Sequence, residues 1–318
     1  MIPPEWLDAA AARLAGRVRI TPVTYDAELD LYLKWENRQT TGSFKLRGAA
    51  NKVLSLQPWE RARGLVCASA GNHGQGVALA AQEVAAPVIV FASDHATPLK
   101  LAAMRTLGAE VRTVPGGYEL AERTAHAFAV EQGYAWVSPY NDGQVIAGQA
   151  TLGLELLEQL SPFPAQVCLV PVGGGGLISG IGLALRRLQH PPRLIGVQSQ
   201  ASAFFHGLFH RGTQADVIET DSLADGLSGA VEADALTIPL VRSLVDDLVL
   251  VSEEQIGQAV AFAWQRYGEV IEGSAAVALA AVLCGQVMAR PALVVLTGGN
   301  IQPETHLALL QRYGAAAS

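Results

Sequence analysis

The sequence predicts an α/β protein built on parallel sheet, and three features predict it. Short apolar runs recur at Leu65–Ala68, Pro87–Phe91, Val167–Pro171, Leu194–Val197 and Ala292–Leu296. Each run is continuous rather than alternating, as expected of strands covered on both faces. Ala-rich segments with helical spacing lie among them, from Gln75 to Val84, Thr97 to Leu107 and Tyr118 to Gln132. Strands that alternate with helices give a parallel sheet with crossover helices. Finally, Gly108 and Gly133 follow helical stretches where carboxyl caps are expected.

Along the chain, Gly64 to Trp136 holds three strand–helix pairs and reads as a self-contained unit. A smaller domain over residues 52–141 is therefore expected, inserted into a larger one made of 1–51 and 142–318. The chain stops soon after its last strand and helix, so no C-terminal regulatory domain is expected.

Composition narrows the class. Half of the 318 residues are hydrophobic and 16% are charged, with 29 acidic against 22 basic residues and a net charge of -7. Basic clusters are absent apart from pairs such as Arg186-Arg187, which argues against a nucleic acid partner. No apolar run reaches the length of a membrane span, and the amino terminus lacks the basic-then-apolar pattern of a signal peptide. Cys67, Cys168 and Cys284 lie far apart, without metal-ligand spacing. They read as buried free thiols of a soluble, cytoplasmic protein.

Four segments carry chemistry. In Lys34–Gly48, Lys45 follows Thr41-Gly42-Ser43-Phe44, where a helix can begin. The partial positive charge of a helix start disfavours an ammonium and eases access to a nucleophilic amine, which forms a Schiff base with an aldehyde cofactor. In Val170–Gly180, Gly173, Gly174, Gly175 and Gly176 join a strand to a helix. Such a run admits a phosphate to backbone amides at a helix start, or serves tight strand–helix packing. It lacks the Gly-Lys-Ser/Thr ending of a Walker loop, and Gln198 stands where a dinucleotide site needs an acid. In Ala68–Gly76, small residues and exposed amides suit a carboxylate, Asn72 offers a neutral amide, and His73 reads as a cap or lining residue rather than a base. In Val294–Asn300, Thr297 ends a strand before Gly298 and Gly299. That segment is either an ordinary turn or a hydroxyl facing a ring nitrogen, which it would leave largely unprotonated.

In combination these segments resemble the fold-type II pyridoxal phosphate enzymes, specifically the serine/threonine dehydratase (threonine ammonia-lyase) branch that includes serine racemase. The resemblance runs through the Lys45 segment, Ser69–Gln75, Ala147–Thr151, Gly173–Leu177, Ala224–Leu227 and Thr297–Asn300. It implies the tryptophan synthase beta-like architecture: two doubly wound, mostly parallel-sheet domains with pyridoxal 5'-phosphate between them. Threonine synthases differ in placing Asp after the lysine, where this chain has Leu46. Cysteine synthases differ in a Ser-Gly-Asn-Thr loop in place of Ser69–His73.

By resemblance Lys45 is the Schiff-base lysine, Phe44 packs beside the ring and Asn72 meets its phenolic oxygen. Gly173, Gly174, Gly175, Gly176 and Leu177 cradle the phosphate, and Thr297 bonds the pyridine nitrogen where the family more often has serine. The backbone of Ser69, Ala70, Gly71, Asn72 and His73 takes the substrate carboxylate. Gly226 lies near the ring or marks a structural turn. The activity implied is β-elimination from L-threonine or L-serine: the freed Lys45 amine takes the α-proton, the β-hydroxyl departs, and the product hydrolyses to a 2-oxo acid and ammonia.

Racemisation is the main alternative. It needs a proton donor on the opposite face, and racemases of the branch carry a second serine where this chain has Ala70. Dehydration of another β-hydroxy amino acid, such as hydroxyaspartate, is a further alternative, and a non-catalytic phosphate- or nucleotide-binding protein a remote one. Several relatives bind a divalent cation through a Glu and an Asp six residues later. Gln198 and Phe204 stand at those positions, so no metal is expected there. The partners implied are a small amino-acid substrate and a second copy of the chain in a homodimer.

Overall fold

The computed structural model describes residues 2–314. In chain order its strands are β1 (Val23–Asp26), β2 (Leu31–Trp35), β3 (Leu65–Ala68), β4 (Val88–Ser93), β5 (Glu110–Val114), β6 (Ala135–Trp136), β7 (Val167–Pro171), β8 (Arg193–Ser199), β9 (Asp247–Val251) and β10 (Ala292–Leu296). The helices of the first half are α1 (Pro4–Leu14), α2 (Lys45–Ser55), α3 (Pro58–Arg63), α4 (Asn72–Glu83), α5 (Pro98–Thr106), α6 (Tyr118–Gln132) and α7 (Gly143–Gln159). Those of the second half are α8 (Gly176–Leu185), α9 (Phe204–Arg211), α10 (Thr237–Leu244), α11 (Glu253–Tyr267), α12 (Gly273–Leu283) and α13 (Pro303–Tyr313).

Two sheets result. The larger has the order β1-β2-β10-β7-β8-β9 and the smaller β5-β4-β3-β6. All pairings are parallel except β1 with β2. All five strands expected from apolar runs are present, and most departures have physical reasons. The strands β1 and β5 lie at sheet edges, where one side meets solvent and a fully apolar run is not required; β9, also at an edge, carries the apolar run Leu248–Val251, which the sequence reading passed over. The strand β2 is buried but contains Lys34, whose charge interrupts the apolar signal. The helix α4 begins at Asn72, three residues before the expected Gln75, so Asn72 and His73 lie on its first turn. Cys67 and Cys168 are buried as expected, whereas Cys284 is exposed. It follows α12, where the chain leaves the core.

Alternation along the larger sheet separates two cores. Val167, Leu169, Val294 and Leu296 face a cluster with α11 and α12, while Cys168, Val170, Leu293 and Val295 face α8, Phe205 and Val241. The smaller sheet has its own core, and Leu46, Ala49, Ala50 and Val53 of α2 belong to it. The opposite face of α2 meets α7. A methyl group on Gly148 would lie 2.5 Å from the Arg47 carbonyl and 2.7 Å from the Gly48 Cα, so the two backbones cross in contact. Similarly, a methyl on Gly180 of α8 would lie 2.6 Å from the Ala150 nitrogen of α7. Three helices are thereby set at fixed spacing, and two of them, α2 and α8, begin at the chemistry-bearing segments.

A buried ionic cluster also anchors α2. Arg47, fully buried, donates to Glu36 at 2.8 Å and to Glu155 at 2.6 Å. Lys34 Nζ donates to Glu155 at 2.7 Å and to the Thr21 carbonyl at 2.8 Å. Burial opposes the charge on Glu36, but Arg47 and then Lys34 hold its carboxyl below the usual range. Two cations and two anions satisfy one another, which is the condition for burying charge.

Candidate active site

Lys45 is the first residue of α2, with Phe44 at the N-cap. Its Nζ donates to the Pro139 carbonyl at 3.1 Å and sits 5.4 Å from the Phe44 ring centroid. Burial pulls the amine down to about 8, against the opposing pull of Glu272. The helix start supplied the reason in the sequence; desolvation is the larger cause in the structure.

The glycine run leaves β7 and enters α8 at Gly176. Gly175 has φ +83°, and a methyl on Gly174 would lie 2.3 Å from the Tyr140 ring. The loop therefore passes against Tyr140 with no room for a side chain, and the first-turn amides of α8 lack helical carbonyl partners. Leu177 is buried behind it. Gly226 lies in a short turn, where its N–H donates to Ser274 Oγ at 2.9 Å. That turn touches the glycine run, since a methyl on Gly173 would lie 3.2 Å from the Leu227 Cα.

Thr297 is the first residue beyond β10 and is buried; its carbonyl accepts from the Phe44 N–H at 3.0 Å. Ser43 and Gly298 form an isolated bridge beside it. Asn72 Nδ2 donates to Glu272 at 2.7 Å, while its Oδ1 accepts from Asn300 at 2.6 Å. The segments of Phe44, Lys45, Asn72 and Thr297 thus converge, and the Gly173–Leu177 run reaches them through Pro139-Tyr140.

The Ser69–His73 loop is more committed than its sequence suggests. The Ser69 N–H donates to the Phe91 carbonyl at 2.9 Å, and its Oγ accepts from the Gly71 N–H at 3.0 Å. Asn72 and His73 open α4, where first-turn amides have no carbonyl four residues back. His73 Nε2 lies 2.9 Å from the Val137 carbonyl, and burial, then Lys45, drive its imidazole down to about 3. The ring is therefore neutral and tethered. Gln198 Oε1 accepts from the His206 N–H at 2.7 Å.

Sequence reasoning missed Glu272 and Tyr140. Glu272 is 7% exposed, and burial, then Asp225, push its carboxyl up to about 7. Its only sequence mark is an acid between the apolar Val270-Ile271 pair and the Ala- and Val-rich helix that opens with Gly273-Ser274. Tyr140 follows Pro139 in what reads as an ordinary turn.

The profile of the pyridoxal-phosphate dependent enzymes matches residues 14–298, and the chain belongs to that family. Its two-sheet architecture is the fold-type II arrangement. The L-threonine ammonia-lyase of Thermotoga maritima is 40% identical over 308 residues, which are 95% of this chain and 76% of that protein. The catabolic L-threonine dehydratase of Escherichia coli is 38% identical over 302 residues, 92% of this chain and 91% of that one. Among solved structures, processed threonine deaminase isoform 2 of Solanum lycopersicum superposes with a TM-score of 0.89 at 28% identity, covering 98% of this chain and 88% of that one. Maize serine racemase gives 0.88 at 29% identity, with 97% of each chain covered.

The residues present fit pyridoxal phosphate. Lys45 offers an amine held partly neutral near physiological pH. The glycine run offers the unpartnered first-turn amides of a ten-residue helix, which suit an anion.

Proposed function

We propose that this protein is a pyridoxal phosphate-dependent dehydratase (ammonia-lyase) that converts L-threonine, L-serine or both to the 2-oxo acid and ammonia. The observation that carries this reading is the Lys45 amine, drawn down to about 8 where the motif segments converge. Lys45 Nζ holds the cofactor and, once freed, takes the α-proton; at neutral pH a useful fraction of it is unprotonated. When bound, the cofactor supplies the electron sink that lets that proton leave. Phe44 packs beside the ring, and Asn72 donates toward its phenolic oxygen. The amides of Gly173 to Gly176 and Leu177 hold the phosphate. Thr297 would present a hydroxyl to the ring nitrogen, and Gly226 would lie near the ring. Within the Ser69–His73 loop, with Ala70 between its ends, the Asn72 and His73 amides are best placed for the substrate carboxylate, because Ser69 and Gly71 are bonded internally.

Dehydration is favoured over racemisation. A racemase needs a second proton donor. Ala70 has none to give, and the Ser69 side chain turns back on its own loop, where its Oγ accepts from the Gly71 N–H. The same reading takes residues 52–141 as the smaller domain and the protein as a cytoplasmic homodimer. The two buried, unpaired thiols Cys67 and Cys168 suit a reducing compartment. Keto-acid release across L- and D-serine, threonine and hydroxyaspartate is the test. Release from L-threonine or L-serine by yellow protein, with colour and activity both lost in Lys45→Ala, is the expected result. Clean inversion of serine without keto acid would overturn it.

A further inference from the structure

Asn72 stands in the middle of a directed chain of hydrogen bonds. At one end the Thr41 carbonyl, which only accepts, takes a bond from Asn300 Nδ2 at 2.8 Å. The second hydrogen of that nitrogen goes to Asn72 Oδ1 at 2.6 Å. At the other end the Glu272 carboxylate takes a bond from Asn72 Nδ2 at 2.7 Å. Both ends demand the same orientation of the Asn72 amide. A flipped amide would set oxygen against carboxylate and nitrogen against nitrogen. One Asn72 N–H remains without an acceptor among the described residues.

Two glycines leave space for this chain. A methyl on Gly42 would lie 2.6 Å from Asn300 Oδ1, and one on Gly298 would lie 2.4 Å from Glu272 Oε1. The glycines beside Lys45 and Thr297 therefore make room for side chains that brace Asn72, a use separate from holding phosphate.

We propose that Asn300 and Glu272 are positioning residues that lock the Asn72 amide with its free N–H toward the phenolic oxygen of the bound cofactor, and that Glu272 places a negative charge behind that contact. This inference rests on the cofactor reading above. The charged groups facing Glu272 are Asp225 on the short turn before Leu227, Lys100 on α5 and Lys45 on α2. Burial and Asp225 weaken its charge, while Asn72, Lys100 and Lys45 support it.

The test uses the full chain reconstituted with pyridoxal phosphate, reading cofactor affinity by equilibrium dialysis and the pH at which the visible band of the bound cofactor changes. Loss of a proton makes the bound cofactor more negative, and a fixed anion opposes that loss. In Glu272→Gln the amide oxygen still accepts from Asn72, so affinity should stay within about twofold while the transition moves about one unit to lower pH. In Asn300→Ala the charge remains but the orientation is released, and affinity should fall about tenfold, as for loss of a bond worth about 1.4 kcal/mol. An unmoved transition in Glu272→Gln, or unchanged affinity in Asn300→Ala, would overturn the proposal. Wild-type protein that takes up no cofactor would instead sink the cofactor reading itself.

Discussion

Lys45 shows how a single side chain records its surroundings. Its amine is held near 8 in the folded, cofactor-free protein, against 10.5 for an ordinary lysine. Between those two values the unfolded chain carries a proton that the folded chain has lost. Stability from this group therefore rises with pH from about 8 to 10.5, and the full cost of burying the ammonium is felt below 8. Urea unfolding of cofactor-free protein should show Lys45→Met more stable than wild type at pH 7, with the difference shrinking as pH approaches 10.5. A constant difference would assign Lys45 no depressed pKa. At this scale the helix-start positions of Lys45, Asn72 and the glycine run carry a signal in the sequence, because each sets a particular residue type at the end of a strand or the start of a helix. Glu272 does not. An isolated acid in an apolar stretch looks like a surface charge until the fold brings Asn72, 200 positions away, against it.

At the scale of elements, the spacing of α2, α7 and α8 decides where the lysine sits relative to the glycine run. Gly148→Ala would push a methyl into the α2 backbone at Arg47 and Gly48, within one turn of Lys45. Overpacking of this kind costs about 2 kcal/mol, and the displaced α2 should also lower cofactor affinity. Thermal unfolding and equilibrium dialysis on one preparation would test both; a stability loss with wild-type affinity would separate the helix crossing from the site. Five strands were readable as apolar runs. The buried β2 was hidden by Lys34, whose charge makes sense only with Glu155 on α7 opposite it. The edge strands β1 and β5 were hidden by their half-wet environment, whereas β9 has an apolar run, Leu248–Val251, that was passed over.

At the scale of the whole molecule, the two sheets are joined through the α2 side and also by a direct ion pair. Lys100 on α5 meets Asp225 beside Gly226 at 2.8 Å, with the Asp225 side chain 61% exposed. So exposed a pair contributes less than about 1 kcal/mol. Lys100→Ala should leave the midpoint of global unfolding almost unchanged in urea, and a loss of several kcal/mol would show that this contact holds the two sheets together. The alternation of strand and helix was enough to anticipate a parallel α/β chain. The pairing of distant segments, such as β2 with β10, was not readable because it depends on which apolar surfaces meet.

In the smaller sheet β3 and β6 are neighbours, with Leu65 paired to Ala135 and Val66 to Trp136. The chain thus enters and leaves this sheet at adjacent strands, about 5 Å apart. A homologous stretch that keeps Asn72 and the face of α4 packed on α2 can be traded between those gateposts without moving the points where the chain enters and leaves. Such a segment is a natural unit of recombination, and grafting it between relatives offers a way to move selectivity from one scaffold to another.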